Sequence, residues 1–199
     1  MIYIDFDGTL VDLWSRYYEV FCHLSDADGL SLEDYRYVKR RYKNDENVAK
    51  VLGCSLKQDY FALKRQLLEE MDYLMLDKLY MPAEYLNNFP KEKCMILTKR
   101  RNKENFEKQL EFLGIDLPYS VISSDDSKIE WIRTNNVVPS GVIIGDSLMD
   151  LEVGKLNITP YMVETGLNTK EDFAESKIEY RCFKNINSID FDRLFNGEI

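Results

Sequence analysis

Short apolar runs recur along the chain, and small or polar residues end each of them. They lie near residues 2–6, 94–98, 119–123, 141–145 and 160–163. Runs rich in β-branched and aromatic residues and bounded by turn-forming residues predict buried strands. Because helix-like segments separate most of them, we predict an α/β fold with a doubly wound, mostly parallel sheet that helices cover on both faces.

Helix signals in the second half of the chain support this alternation. Asn102 can cap a helix between the second and third predicted strands, and Gly114 can end it. After Thr169 the pattern predicts a helix, a short strand around residues 180–183 and a last helix around residues 188–195.

The segment between the first two predicted strands, residues 13–90, is far too long for a simple crossover. Ser31 and Asp34 have the spacing of a capping box at a helix start. Two apolar stripes at helical spacing predict further helices packed on each other: Trp14, Tyr17, Tyr18 and Phe21, then, between residues 56 and 75, Tyr60, Leu63, Leu67, Met71 and Leu74. We therefore predict a small α-helical insertion over residues 13–90 and a core formed by residues 1–12 and 91–199.

Composition narrows the class of protein. Of the 199 residues, 45% are apolar, which can fill a sizeable core. The net charge of −9 argues against a general partnership with nucleic acid or an anionic membrane. No signal peptide or membrane-length apolar run is evident, and the four cysteines are scattered without a Cys-x-x-Cys pair. We therefore expect a cytoplasmic protein with reduced thiols.

His23 is the only histidine, which excludes a multi-histidine metal site. A Ser-His-Asp or Cys-His hydrolase would depend on this one residue. It lies in an apolar-rich run, where a packing or surface role is more typical than catalysis. The chemistry is therefore expected to rest on carboxylates.

Two pairs of aspartates follow predicted strands. Asp5 and Asp7 lie at the carboxyl end of the first strand, and Asp146 and Asp150 follow the fourth. Open α/β sheets place their ligands at this end. Two carboxylates one residue apart repel each other unless a cation or a proton lies between them. The first pair therefore suits a nucleophile beside an acid/base group, with a divalent metal holding both.

Four segments, taken in order, resemble the signatures of haloacid-dehalogenase-like (HAD) hydrolases. Residues 5–12 read Asp-Phe-Asp-Gly-Thr-Leu-Val-Asp, like the first, and residues 94–98 form an apolar run that ends in Thr98, like the second. Lys128 opens a helix-like segment, like the third, and residues 141–150 form a strand followed by Gly-Asp-x-x-x-Asp, like the fourth. Each later segment is weak by itself, and their joint order and spacing carry the resemblance.

The resemblance implies a Rossmann-like core with a helical cap at the position of the insertion. The first and fourth strands would be neighbours, which would bring Asp5 and Asp146 together. Mg²⁺ would be held by the carboxylates of Asp5 and Asp146 and by the backbone carbonyl of Asp7. Asp150 would act through bound water or by orienting the site.

The same resemblance implies the catalytic roles. Asp5 would attack phosphorus and form an aspartyl-phosphate. Asp7 would protonate the leaving oxygen and then take a proton from the attacking water. Thr98 and Lys128 would hold the remaining phosphoryl oxygens. Apart from the resemblance, Lys99 and Arg100 follow Thr98 at the strand end, so at least one of them is expected to face the mouth of the site and select the substrate, and Lys99 is the predicted contact.

The predicted function is Mg²⁺-dependent hydrolysis of a small phosphorylated metabolite: a sugar phosphate, a phosphorylated acid or a nucleotide. A phosphomutase shares the signatures and stays open. A receiver-like phospho-accepting protein is shorter and orders its residues differently, and a silent scaffold would not need all of these groups. Asp7 argues against haloalkanoate dehalogenases, which usually lack a carboxylate there.

The sequence departs from common family members in two loops. Residues 13–16 read Leu-Trp-Ser-Arg, without the small or proline-bearing residues often found there, and residues 99–101 read Lys-Arg-Arg, which is unusually basic. A further basic cluster in the insertion consists of Arg36, Lys39, Arg40, Arg41 and Lys43. A solvated helix face is its more typical interpretation, and a polar lip for a second anionic group of the substrate is the alternative.

Overall fold

The computed structural model describes residues 1–135 and 140–198. The strands within these residues are β1 (Ile2–Ile4), β2 (Val11–Asp12), β3 (Lys78–Leu79), β4 (Cys94–Lys99), β5 (Tyr119–Ile122), β6 (Gly141–Gly145), β7 (Ile158–Val163) and β8 (Arg181–Phe183). The α-helices are α1 (Trp14–His23), α2 (Leu32–Tyr42), α3 (Asp45–Leu52), α4 (Tyr60–Leu67), α5 (Met71–Leu74), α6 (Ala83–Leu86), α7 (Lys103–Leu113), α8 (Lys128–Asn135), α9 (Leu148–Leu151), α10 (Lys170–Ala174) and α11 (Phe191–Phe195).

One sheet has the strand order β5-β4-β1-β6-β7-β8, and every pairing in it is parallel. Strand β1 lies between β4 and β6, so that Ile4 is aligned with Ile96 on one side and with Ile144 on the other. All of β1 is buried, which explains why it reads as a continuous apolar run rather than an alternating one. The predicted α/β fold with a doubly wound, mostly parallel sheet is confirmed.

The two faces of this sheet belong to different apolar clusters. Ile4 packs into a cluster with Phe106 and Ile144, whereas Tyr3 packs into another with Leu97 and Ile143. Successive side chains of a strand point to opposite faces, so the central strand contributes to both clusters. This double burial holds the ends of β1, β4 and β6 at one edge of the sheet.

Residues 14–86 are mostly helical and have an apolar cluster of their own, which includes Trp14, Phe21 and Tyr60. The second predicted stripe is not one helix, because α4 ends at Leu67 and α5 begins only at Met71. The break changes the helical phase, and Leu63 is 40% exposed although the stripe placed it inside. That part of the sequence prediction is wrong.

The short antiparallel pair β2–β3 joins the two ends of this helical region. Val11 is aligned with Leu79 and Asp12 with Lys78. Strands of two residues carry no periodicity, so the apolar pattern could not predict them. The division into a core and a cap over residues 13–90 stays a prediction.

Three members of the basic cluster in this region make structural contacts. Lys39 is buried with its ammonium 2.6 Å from Asp45, and Arg40 and Lys43 donate to backbone carbonyls within residues 164–168. Lys43 also forms an ion pair with Asp172. A solvated helix face therefore does not describe these three residues.

The end of the chain follows the predicted order of helix, strand and helix. Strand β8 pairs in parallel with β7 at the sheet edge, and Phe191 and Phe195 of α11 pack on Phe89. The four cysteines are free, and His23 is exposed. No helix in the described part of the chain is both long enough and apolar enough to span a membrane.

The buried ion-pair cluster of the helical region gives a stability prediction. Asp45→Asn leaves the ammonium groups of Lys39 and Lys64 without their shared counter-charge. Removing one partner of a buried pair typically costs about 3–5 kcal/mol, and we expect a loss of that order in the free energy of unfolding by urea at pH 7. An exposed pair serves as the control, since Asp116→Asn, which breaks the contact with Lys91, should change this free energy little.

The pH dependence of this loss has a defined sign. Burial raises the pKa of Asp45, but Lys64 and Lys39 outweigh it and lower the pKa below its usual value of 3.8. Stability from the Asp45 carboxylate is therefore present above the unfolded-state pKa and is lost as pH falls through the lower folded-state pKa. The difference in the free energy of unfolding between the wild type and Asp45→Asn should become smaller below pH 3.8. A difference that grows in acid would contradict this assignment.

Candidate active site

The carboxyl ends of β1, β4 and β6 meet beside the first residue of α8. Asp5 follows β1, Thr98 lies near the end of β4, Asp146 follows β6 and Lys128 opens α8, and all four are buried. The Lys128 Nζ lies 2.6 Å from Asp5 Oδ1 and 2.6 Å from Asp150 Oδ1. One ammonium group thus joins the carboxylates that follow two neighbouring strands.

Three buried carboxylates lie together at this edge of the sheet. Asp5, Asp146 and Asp150 each present an oxygen within 4.8 Å of the others. Burial raises the pKa of Asp5 to about 7 although Lys128 opposes the shift, and burial followed by repulsion from Asp5 raises the pKa of Asp146 well above its usual range. A single ammonium group does not balance three carboxylates, so the cluster favours an additional cation.

Asp150 is engaged at both carboxylate oxygens. Its Oδ1 accepts from Lys128, and its Oδ2 accepts from the hydroxyl and the backbone N–H of Ser147. Ser147 in turn caps α9, which completes a capping box. Asp146 is held less firmly. Within the described residues its carboxylate accepts a long hydrogen bond of 3.4 Å from the Thr9 hydroxyl.

The backbone packs closely around Asp146. A Cβ atom on Gly8, whose φ is +75°, would lie 2.7 Å from Asp146 Oδ2, and a Cβ on Gly166 would lie 1.5 Å from it. Thr165 fixes this approach, since its hydroxyl donates to the Gly8 carbonyl while its own carbonyl accepts from the Trp14 indole at 2.8 Å. Both glycines are thus needed for the carboxylate to occupy this position.

Asp7 has surroundings of a different kind. Its Oδ1 accepts from Arg16 and, at 2.8 Å, from Arg100. Burial raises the pKa of Asp7, but Arg100 and Arg16 together outweigh it and hold the pKa below its usual value. The predicted acid/base group is therefore held as a carboxylate, the form that accepts a proton.

A cavity of about 330 Å³ opens onto these groups. Asp5, Asp146 and Lys128 lie at one end of its lining, together with Asp7 and Thr98, and Lys99 also lines it. The remaining wall is largely apolar or aromatic and includes Leu13, Trp14, Tyr17, Met149 and Leu167. A larger cleft of about 650 Å³, between residues 62–70 and 101–105, has no comparable set of buried carboxylates.

The structure brings most of the predicted site residues to this cavity. Asp5, Asp7, Thr98, Lys99, Lys128 and Asp146 line it, and Asp150 lies behind Lys128. Tyr17, which was predicted to lie in the helical core, lines the cavity, and no role was predicted for Thr165 and Gly166. The Thr-Gly pair after the fifth predicted strand was the available signal for the last two residues. Arg16 was visible only as a departure from the family pattern, and Arg100, predicted together with Lys99 as a candidate for the mouth of the site, does not line the cavity.

The residues at the end of the cavity fit a magnesium ion. Hard oxygen ligands are what Mg²⁺ prefers, and Asp5 and Asp146 provide buried carboxylates with few competing partners. Both groups have raised pKa values because they are buried beside other carboxylates. A bound divalent cation would compensate this negative charge.

Comparisons with known proteins support the fold. No protein-family model and no curated protein sequence matches the chain. A protein assigned as a haloacid dehalogenase-like hydrolase from Bacteroides fragilis has a TM-score of 0.63 at 18% identity, over 94% of this chain and 98% of that one. A predicted phosphatase from Clostridium acetobutylicum has a TM-score of 0.60 at 17% identity, over 99% and 96% of the two chains.

The same fold carries other reactions. A protein assigned as a beta-phosphoglucomutase from Bacteroides vulgatus has a TM-score of 0.56 at 15% identity, over 98% of this chain and 86% of that one, and a dehalogenase also matches. The chain thus has the fold of haloacid-dehalogenase-like hydrolases, which confirms the resemblance at the level of the fold. The reaction has to be argued from the side chains.

Metal binding can be tested without an activity assay. We expect Mg²⁺ to raise the thermal unfolding midpoint of the wild type, since a ligand at a hundred times its Kd stabilises a protein by about 2.7 kcal/mol. Asp146→Asn removes part of the buried repulsion, so this variant should be more stable than wild type in chelator and should gain little from Mg²⁺.

Asp28→Asn is the matched control, because Asp28 is exposed and lies outside the cavity. It should respond to Mg²⁺ as the wild type does. An Asp146→Asn protein that is stabilised by Mg²⁺ as much as the wild type would contradict a metal site at these carboxylates.

Proposed function

We propose that the protein is a Mg²⁺-dependent phosphatase that hydrolyses a small phosphate monoester through an aspartyl-phosphate on Asp5. The observation that carries this proposal is the buried cluster of Asp5, Asp146, Asp150 and Lys128 at one end of a cavity of substrate size. A nucleophilic carboxylate beside a fixed ammonium group and a cation site is the arrangement that phosphoryl transfer needs.

In the first step an oxygen of Asp5 attacks phosphorus and the bond from phosphorus to the leaving oxygen breaks. The phosphate of the substrate brings negative charge beside Asp7, which favours the protonated carboxyl group. The leaving oxygen takes this proton. Lys128, which contacts Asp5 at 2.6 Å, would stabilise the ionised nucleophile and the phosphoryl oxygens. The buried Thr98 hydroxyl would donate to another of these oxygens.

In the second step water attacks the aspartyl-phosphate, gives its proton to the Asp7 carboxylate and releases phosphate from Asp5. The lowered pKa of Asp7 keeps this group in the ionised form that the second step requires. Asp5 and Asp146 would hold the magnesium ion, with the Asp7 carbonyl as a further ligand, and Asp150 would orient Lys128. When bound, the ion supplies positive charge that offsets repulsion between the phosphate and Asp5.

The cavity wall supports a substrate with an organic part of modest size. Trp14, Tyr17 and Met149 offer apolar and aromatic surface, whereas Lys99 offers a positive charge. No ion pair of Lys99 occurs within the described residues, so its ammonium group is available for a second anionic group of a phosphorylated acid, sugar phosphate or nucleotide. A phosphomutase would use the same groups and differ by passing the phosphoryl group to a second hydroxyl.

Asp5→Asn tests the covalent route. This variant should bind Mg²⁺ more weakly and turn over an aryl phosphate below detection, because an amide does not attack phosphorus. In the wild type, chelation should abolish turnover and added Mg²⁺ should restore it. Release of phosphate is measured, with the exposed Asp28→Asn as the control variant. Near-wild-type turnover by a pure, unreverted Asp5→Asn protein would refute the proposal.

Lys99→Ala tests the contact with the organic part of the substrate. We expect kcat/KM to fall about tenfold or more on a metabolite with a second anionic group, since charged hydrogen bonds contribute roughly 1.5–3 kcal/mol. An aryl phosphate should be affected little. Arg41→Ala is the control, because Arg41 is exposed and outside the cavity. Equal effects of Lys99→Ala on both substrates would rule out this contact.

A further inference from the structure

Asp7 belongs to a closed ring of five polar side chains, and the other four members are buried. Its Oδ1 accepts from Arg16 and Arg100, and the Arg16 Nε lies 3.2 Å from Asp77 Oδ1. Gln109 closes the ring, since its Nε2 donates to Asp77 Oδ2 at 2.8 Å and its Oε1 accepts from Arg100 at 3.0 Å. The five residues come from five separate segments of the chain, including α1 and α7.

Each guanidinium group is fixed by more than the ring. Arg16 donates to the Leu68 carbonyl at 2.9 Å, and Arg100 lies over the rings of Phe6 and Phe106 at 5.6 and 5.5 Å. Both arginine side chains are only 2% exposed. Neither can therefore turn toward the cavity without breaking several contacts, and neither lines it.

The ring engages only one oxygen of Asp7. The Asp7 side chain is 25% exposed and lines the cavity, while both arginines contact Oδ1. No hydrogen bond to Oδ2 is found among the described residues. Because Oδ1 is held by two guanidinium groups, the carboxyl group cannot rotate freely. Oδ2 is therefore the oxygen that is free to contact a substrate in the cavity.

We propose that Arg16 and Arg100 are positioning residues that hold Asp7 so that its Oδ2 faces the leaving oxygen of the substrate. This inference rests on the proposed phosphatase function. Neither arginine would touch the substrate, and both act through Asp7, whereas Asp77 and Gln109 fix the direction of the guanidinium groups. Displacement of a reacting group by about 1 Å can cost about a hundredfold in rate, so a fixed carboxyl group has catalytic value.

The stacked plane of the Arg100 guanidinium group sets the direction of its hydrogen bonds. Arg100 reaches Asp7 and Gln109 through the same Nη2 while its plane rests against two aromatic rings. A lysine keeps the charge but not the planar group that stacks on these rings. Arg100→Lys therefore separates the effect of geometry from the effect of charge, and Arg100→Gln removes both.

The test is a double-mutant cycle with Asp7→Asn, because Asn can still accept hydrogen bonds from the ring. Arg100→Lys, Arg100→Gln and Arg16→Lys are each made in the wild-type and the Asp7→Asn backgrounds. Hydrolysis of phenyl phosphate and of 4-nitrophenyl phosphate is measured with Mg²⁺. Phenyl phosphate has the poorer leaving group and depends more on proton donation. Arg101→Gln, at the exposed neighbouring residue, is the control.

In the wild-type background we expect Arg100→Lys to lower kcat on phenyl phosphate about tenfold or more, with KM changed less than about threefold. The loss on 4-nitrophenyl phosphate should be smaller. In the Asp7→Asn background the same substitution should lower kcat by less than about threefold, since the group through which Arg100 acts is already removed. Circular dichroism and the thermal unfolding midpoint identify the variants that fold. If the Arg100 variants do not fold, Arg16→Lys tests the same inference.

Equal losses in both backgrounds would overturn the inference and make the ring a purely structural element. Faster turnover by the arginine variants would also overturn it, because the ring would then restrain Asp7 rather than position it. A wild-type protein with no phosphatase activity would refute the proposed function and this inference together. Losses confined to the background that retains Asp7 would support the positioning role.

Discussion

Three carboxylates are buried together against one ammonium group, and this imbalance of charge shapes the site. Asp5 and Asp146 follow neighbouring parallel strands, so the sheet itself brings them together, and Lys128 from α8 compensates only part of their charge. Burying uncompensated charge is costly, and the raised pKa values of Asp5 and Asp146 express that cost. A divalent cation is the simplest group that would balance it.

The first two aspartates of the chain serve two different networks. Asp5 contacts Lys128, whereas Asp7, beyond the buried Phe6, contacts Arg16 and Arg100. The first network has too little positive charge, and the second surrounds its carboxylate with two guanidinium groups. The contrast accounts for the opposite shifts in pKa of two carboxyl groups that lie one residue apart. It also fits the two proposed roles, since Asp5 as nucleophile needs a nearby cation and Asp7 as acid/base group needs a fixed direction.

The sequence predicted those parts of the structure that leave a local pattern. The apolar runs marked the sheet, and the aspartates after the first and fourth runs marked the acidic cluster, because parallel strands end at a common edge. The ring that Asp7 forms with Arg16, Asp77, Arg100 and Gln109 left no such pattern, since its members come from separate segments and only packing brings them together. The sequence predicted Lys39 and Arg40 as surface charges for the same reason. In the structure Lys39 pairs with Asp45, and Arg40 donates to backbone carbonyls within residues 164–168.

Detection of the phosphorylated enzyme tests the central proposal most directly. The wild type would be mixed with an aryl phosphate and Mg²⁺, quenched in acid within one turnover and analysed by intact mass spectrometry. Borohydride reduction of the acyl phosphate would mark the phosphorylated residue for peptide mapping. We expect one phosphoryl group per chain, located on Asp5, and none in the presence of chelator or in Asp5→Asn. Turnover without a phosphorylated intermediate, or with the label on another residue, would contradict the proposed mechanism.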